Sequence, residues 1–259
     1  MPSRPALPAE APASDALIAR AAGSITMVDE PFVRLGVLAS VDIALSEASR
    51  PHEGDIADLH DDELAFAQSL AAGHRSGFVA GRRALRAAVQ QLSPGASVPP
   101  MLRTDRGAPQ LPTGLTGSIS HKRERAIALA APSAGGLVGI DLEVRPLETD
   151  LTRPSIAQRI LTGNEQARLS HLDALMHREQ TLVHFAIKEA VYKAIDPFVQ
   201  RYVRFVEVEL EVESSGLARV RLLLPEPIMR DVYVDAQWRF EGRWIVAMAH
   251  SRTREQQTG

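Results

Sequence analysis

The stretch Val138-Gly139-Ile140-Asp141-Leu142-Glu143 decides how this chain is read. Val138, Ile140, Leu142 and Val144 alternate with Gly139, Asp141, Glu143 and Arg145. An apolar–polar period of two predicts a half-buried β-strand. On such a strand Asp141 and Glu143 share a face, one pleat apart. Two acids so placed either bind something positive or lie together on an exposed face by chance. A guest suited to the first case is a hard divalent cation. Mg²⁺ takes oxygen ligands, commonly one or two carboxylates completed by substrate phosphates.

Downstream, residues 177–195 (HREQTLVHFAIKEAVYKAI) predict a long helix that ends before Asp196-Pro197. Leu182, Phe185, Ile187, Ala190, Val191 and Ala194 give it an apolar face, which Lys188, Glu189 and Lys193 interrupt. Glu189 and Lys193 are four apart and so neighbours on the helix surface, a spacing that by itself supports an ordinary ion pair. Upstream, Asp61-Asp62-Glu63 marks a helix start, with that helix running to about Ala72. A second helix is predicted over residues 74–92. Its Arg75, Arg82 and Arg86 fall along one side. Such a row is either a solvated face or a landing strip for phosphate, which guanidinium grips with a planar fork. The turn-rich loop RTDRGAPQLP adds Arg103 and Arg106, and Gly117-Ser118-Ile119-Ser120-His121 leads into a strand over 126–130, with His121 at a break. No G-x-S-x-G elbow surrounds Ser120.

Further strands are expected over residues 32–39, 98–102 and 203–213, the last paired with 217–224 through Ser214-Ser215-Gly216. Residues 233–240 and 243–250 read as another hairpin. Helical segments are expected over 154–161 and from Asn164, as cap, to about Met176. Two α+β halves result, each a long helix packed on a small, mainly antiparallel sheet. The first spans 25–135 and the second 136–251. Residues 1–24, rich in Pro and Ala, and 252–259 read as flexible tails.

Composition narrows the chemistry. The 259 residues contain no cysteine, which rules out disulfides, thiolate catalysis and Cys-ligated metals. Net charge is −3, so no global basic field points to nucleic acid or membrane. There is no apolar run of membrane-spanning length and no compact secretory signal. A cytoplasmic protein is expected.

The blocks GRRALRAA (81–88), RGAPQLP with GSISH (106–121), GIDLE (139–143) and FAIKEAVYKA (185–194) are together similar to 4′-phosphopantetheinyl transferases. The resemblance is to the larger, single-chain type that activates polyketide, nonribosomal peptide and siderophore synthases. It covers about 110 residues, and the pairing of G-I-D-x-E with K-E-A-x-x-K is its specific part. It implies an α+β fold of two similar halves with the active site at their seam. It also implies transfer of the phosphopantetheine arm of coenzyme A to a serine of an apo carrier protein, with release of 3′,5′-ADP. By resemblance, Asp141, Glu143, Glu189 and the main-chain carbonyl of Leu142 are the metal ligands, for Mg²⁺ or Mn²⁺. Glu189 is carried over as a ligand of that metal, as the general base, or as both, and Lys193 contacts the pyrophosphate. Ser120 and His121 lie near the coenzyme phosphates, and Arg75, Arg82, Arg103 and Arg106 hold the coenzyme. Departures are Leu111 where many relatives have Trp, Ala108 where some have Lys, and Ala186 where Ser is common. His74 stands where some relatives are basic, which leaves His74 or Arg75 for the phosphate contact. Partners implied are coenzyme A and apo carrier domains, with neither nucleic acid nor membrane. A basic-rimmed apolar segment, Val199 to Phe205, suits an acidic carrier. The internal halves imply a monomer. Two other readings keep the acids: a different Mg²⁺-dependent enzyme handling a nucleotide or diphosphate, and a silent carrier-binding module. The absence of Walker A and G-x-G-x-x-G motifs weakens the first. The presence of Asp141, Glu143 and Glu189 together argues against the second.

Overall fold

The computed structural model describes residues 25–28, 36–43, 58–122, 124–225 and 231–257. The expected N-terminal tail, and residues 32–35 of the first expected strand, lie outside them. Two antiparallel sheets carry the fold. The first has the order β1 (Ile25–Val28), β2 (Val37–Asp42), β4 (Arg125–Pro132), β3 (Leu115–Lys122). The second runs β5 (Leu137–Val144), β9 (Trp244–Thr253), β8 (Val232–Glu241), β7 (Leu217–Leu222), β6 (Val208–Val212).

Strand periodicity distributes the core. On β4, Ala126, Ala128 and Ala130 face helix α2 (Ala72–Leu92), meeting Ala80, Ala84, Leu85, Ala88 and Val89. Ile127, Leu129 and Ala131 turn the other way, against Val138, Ile140 and Leu142 of β5 and Val246 and Met248 of β9. The alternate residues of β9, Ile245, Ala247 and Ala249, pack under the long helix α5 (Ala174–Val199). The order of layers is therefore helix, sheet, sheet, helix. Small residues on β4 and β9 let each helix lie close, while the larger branched residues fill the space between sheets. This is the α+β architecture of two helix-on-sheet halves.

Several local expectations change. Residues 98–102 form no strand. Pro99 and Pro100 have no N–H to give a ladder, the carbonyls of Val98 and Pro99 accept from Arg86, and Met101 N–H donates to Glu63. No break occurs at His121, because β3 continues to Lys122. Helix α1 (Asp61–Ser69) starts on the acidic cluster but stops short of Ala72. The helical segment expected over 154–161 shrinks to α3 (Ala157–Ile160). Helix α4 (Gly163–Leu169) is capped by Thr162 in a reciprocal pair with Glu165, not by Asn164, whose side chain goes to Glu209. Helix α5 runs through Asp196-Pro197 to Val199, since proline in the last turn forgoes one bond, to the carbonyl of Lys193, and Gln200 closes it at φ 50. β6 begins only at Val208, after a tight turn over Phe205–Glu207 held by Glu207 on Arg201 and on the Arg204 N–H. The C-terminal segment expected as a tail from 252 instead completes β9 and makes the short helix α6 (Arg254–Gln257).

Candidate active site

Strand β5 sends Val138, Ile140 and Leu142 between the sheets, so Gly139, Asp141 and Glu143 face α5. A methyl group at Gly139 would land 1.9 Å from the Ala190 carbonyl oxygen. The missing side chain lets the helix backbone sit on the strand, and this contact brings Glu189 and Lys193 to the two acids. Asp141 and Glu143 are 5% and 8% exposed. The Lys193 Nζ donates to Asp141 Oδ1 at 2.7 Å and to the Ile140 carbonyl at 2.8 Å. Its ion pair is thus made across elements, not with Glu189 along the helix. Ser120 Oγ donates to the same Asp141 Oδ1 at 2.8 Å. Asp141 Oδ2 is buried without a partner. Lys122, at the end of β3, pairs with Glu143 at 2.6 Å. No hydrogen bond or ion pair among the described residues reaches the Glu189 carboxylate.

The electrostatics match this crowding. Burial pushes the Glu189 carboxyl above the usual carboxylate range, Lys193 opposes that, and the Asp141 charge adds to it. Glu143 is raised chiefly by burial and held back by Lys122. His121 keeps an exposed face, yet partial burial lowers its pKa, and the charges of Lys193, Lys122, His74 and Arg82 lower it further. The ring therefore stands at the meeting point of both halves. Gly77 on α2 accommodates it, since a methyl there would be 2.6 Å from Nδ1.

The arginines divide. Arg82 is 5% exposed, stacks on Phe78 and leaves Nε unpartnered. Burial pulls its pKa down to about 10, against the pull of Glu63 and with the push of Arg103. Arg103 is exposed and stacks on Phe66. Phe66 and Phe78 are themselves in ring contact, so two like charges share one aromatic platform. By contrast, Arg75 donates to the carbonyls of Ala67, Gln68 and Leu70 and closes the end of α1. Arg106 crosses the seam to grip Asp196 with two donors. Ser120 spends its one proton on Asp141. Leu142 is wholly buried between the sheets, leaving its backbone alone for any ligand role.

Sequence reasoning missed Lys122 and Asp196. Lys122 could have been found, as the basic residue directly after Ser120-His121 on one strand. Asp196 could not, because its partner is 90 residues away.

The N-terminal domain of 4′-phosphopantetheinyl transferases matches residues 61–131, and the 4′-phosphopantetheinyl transferase superfamily matches 137–249. The 4′-phosphopantetheinyl transferase PptT of Mycobacterium tuberculosis is 30% identical over 179 residues, 68% of this chain and 74% of that one. The chain belongs to the 4′-phosphopantetheinyl transferase superfamily. The transferase Svp of Streptomyces mobaraensis is 34% identical over 174 residues, 64% of this chain and 65% of that protein, a little under two thirds. Enterobactin synthase component D of Salmonella typhi is 29% identical over 213 residues, 80% of this chain and 84% of that one. The superfamily is one of enzymes that transfer the 4′-phosphopantetheinyl group. The acids of β5, and Glu189 and Lys193 of α5, fall within the second match; His121, Arg82 and Arg103 fall within the first.

Proposed function

We propose that this chain transfers the phosphopantetheine arm of coenzyme A to a serine hydroxyl of an apo carrier protein, releasing 3′,5′-ADP, in support of polyketide, nonribosomal peptide or siderophore synthesis. The observation that carries the reading is Asp141 Oδ2: buried, unpartnered, and set among Glu143, Glu189 and Lys193 at the seam. Among the described residues no three His, Asp or Glu side chains are gathered tightly enough to enclose a metal by themselves. A cation there would complete its shell with water and phosphate, as Mg²⁺ prefers, and Mn²⁺ could replace it. Asp141, Glu143 and Glu189 would hold it, with the Leu142 carbonyl as a backbone candidate. When bound, such an ion would supply positive charge to neutralise the pyrophosphate.

The chain's own residues supply the rest. Glu189, free of partners and raised in pKa, takes the proton from the carrier serine as its oxygen bonds to phosphorus. The phosphorus–oxygen bond to 3′,5′-ADP breaks, and Lys193 stabilises the charge gathering there. Arg82 and Arg103 bind coenzyme phosphate from the first half, with His121 between them and Lys193. Arg75 and Arg106 act one step back: Arg75 secures the end of α1, and Arg106 ties the 103–109 loop to α5. The carrier would dock beside exposed Tyr202, flanked by Arg201 and Arg204, where a cavity of about 60 Å³ adjoins Glu189. A monomer is proposed because one chain supplies both halves. Among the described residues no helix is long and apolar enough to cross a membrane, and a cytoplasmic location is proposed.

Intact-mass spectrometry tests the reading. An apo carrier incubated with the enzyme, Mg²⁺ and coenzyme A should gain about 340 Da, one phosphopantetheine arm. Asp141→Ala should abolish the gain while keeping the fold. Absence of any gain across several carriers would overturn the proposal.

A further inference from the structure

β3 and β5 are edge strands of different sheets, and they run side by side in the same direction. Three hydroxyls join them. Thr116 Oγ1 accepts from Val138 N–H at 3.4 Å, Ser118 Oγ from Ile140 N–H at 3.1 Å, and Ser120 Oγ from Leu142 N–H at 3.2 Å. The offset is a constant 22 residues. An exposed strand edge would leave these donors open. Here side chains cover it, and all three hydroxyl residues are buried.

Ser120 does one thing the other two do not. Its proton goes to Asp141 Oδ1, where Lys193 also donates. One donor comes from each half of the molecule, and both fall on the same oxygen. Oδ2 is thereby left as the unpartnered one. We infer that Ser120 is a positioning residue: accepting from Leu142 N–H and donating to Asp141, it fixes the carboxylate so that Oδ2 stays available to a cation. This rests on the transferase reading above. Thr116 and Ser118 join the sheets without touching the acid, so the ladder contains its own control.

The test compares Ser120→Ala, Ser118→Ala and Ser120→Thr in the full chain. Each alanine removes one ladder bond, so both should lower the melting temperature by similar amounts. Mn²⁺ binding, read by electron paramagnetic resonance with coenzyme A present, should separate them. Loss of a group that orients a ligand typically weakens metal affinity about 10–100-fold, and Ser120→Ala should fall in that range. Ser118→Ala should stay within about twofold of the parent, well short of that range. Ser120→Thr keeps the hydroxyl and should recover most of the affinity. Equal Mn²⁺ affinities for the two alanine variants, in an enzyme that still modifies its carrier, would overturn the positioning role and leave the transferase reading standing. A parent that neither binds Mn²⁺ nor modifies any carrier would overturn both.

Discussion

A guanidinium that is almost wholly buried, stacked on one ring and short of a partner at Nε is costly unless an anion joins it. Arg82 is in that state, and the neighbouring Arg103 makes it worse. Coenzyme phosphate would relieve both. Charge-assisted hydrogen bonds contribute about 1.5–3 kcal/mol, so Arg82→Gln should raise KM for coenzyme A roughly 10-fold to 100-fold, with a smaller change in kcat. Steady-state kinetics at varied coenzyme concentration reads the split. A fall in kcat at unchanged KM would move Arg82 from binding to the transition state. At this scale the acids and Lys193 were legible because two motifs placed them on a strand and a helix that had to meet. The employment of the arginines was not. Spacing put Arg75, Arg82 and Arg86 on one side of α2, but their partners differ: the end of α1 for Arg75, the Phe78 ring one turn back on α2 for Arg82, and the buried Glu63 at 2.6 Å for Arg86.

Helix α5 carries Glu189, the proposed base, and a buried ion pair holds the helix in place. Lys188, next to Glu189, is 1% exposed. Its Nζ donates to Glu165 at 2.6 Å and to the carbonyls of Ile160 and Phe205. Glu165 in turn accepts from the N–H groups of Thr162 and Leu210. The cluster pins α5 to α3, α4 and the start of β6 at once. Burial lowers the Lys188 pKa, and Glu165 resists that. Removing one partner leaves an uncompensated buried charge, which costs about 3–5 kcal/mol. Lys188→Met should therefore lower the free energy of unfolding, read by denaturant titration, by about 3–5 kcal/mol. Adding Glu165→Leu should recover a large part. If the single variant unfolds with parental stability, the pair is not what anchors the helix. The helix itself was plain from its apolar period, whereas its continuation past Asp196-Pro197 was not. Within that extension Asp196 is gripped by Arg106 of the other half, a partner that no local pattern on α5 encodes.

The face-to-face packing of the two sheets is a property of the whole chain, and it was the least legible part. Strands β4 and β5 are buried over nearly their full lengths on both faces. The small-apolar run RAIALAA carried that signal, but a run of this kind does not say which layer covers which side. The closing of the layers also leaves histidines inside, with a consequence for stability. His184 lies on α5, 3% exposed, with Nδ1 at 2.8 Å from the Gln180 carbonyl. Burial lowers its pKa, the Gln180 carbonyl and Glu165 oppose that, and Lys188 and Arg168 add to it. His250, on β9, is lowered by burial against the pull of the Gly135 carbonyl. Both groups bind a proton more readily in the unfolded chain, where the pKa is about 6.5. Stability therefore rises with pH through their window and is lost as pH falls below about 6.5 toward the lower folded values. Glu143 and Glu189 act with the opposite sign, since their raised folded pKa values favour the folded state at low pH, in a window that starts near the ordinary carboxylate value of about 4.3. Melting temperatures should accordingly fall between pH 7.5 and pH 6. Each histidine contributes about 1.4 kcal/mol per unit of pKa difference between states. His184→Gln removes one titrating group and should flatten the slope over that interval, whatever it does to the absolute stability. A parental slope in that variant, measured by calorimetry at matched ionic strength, would remove His184 from the acid response.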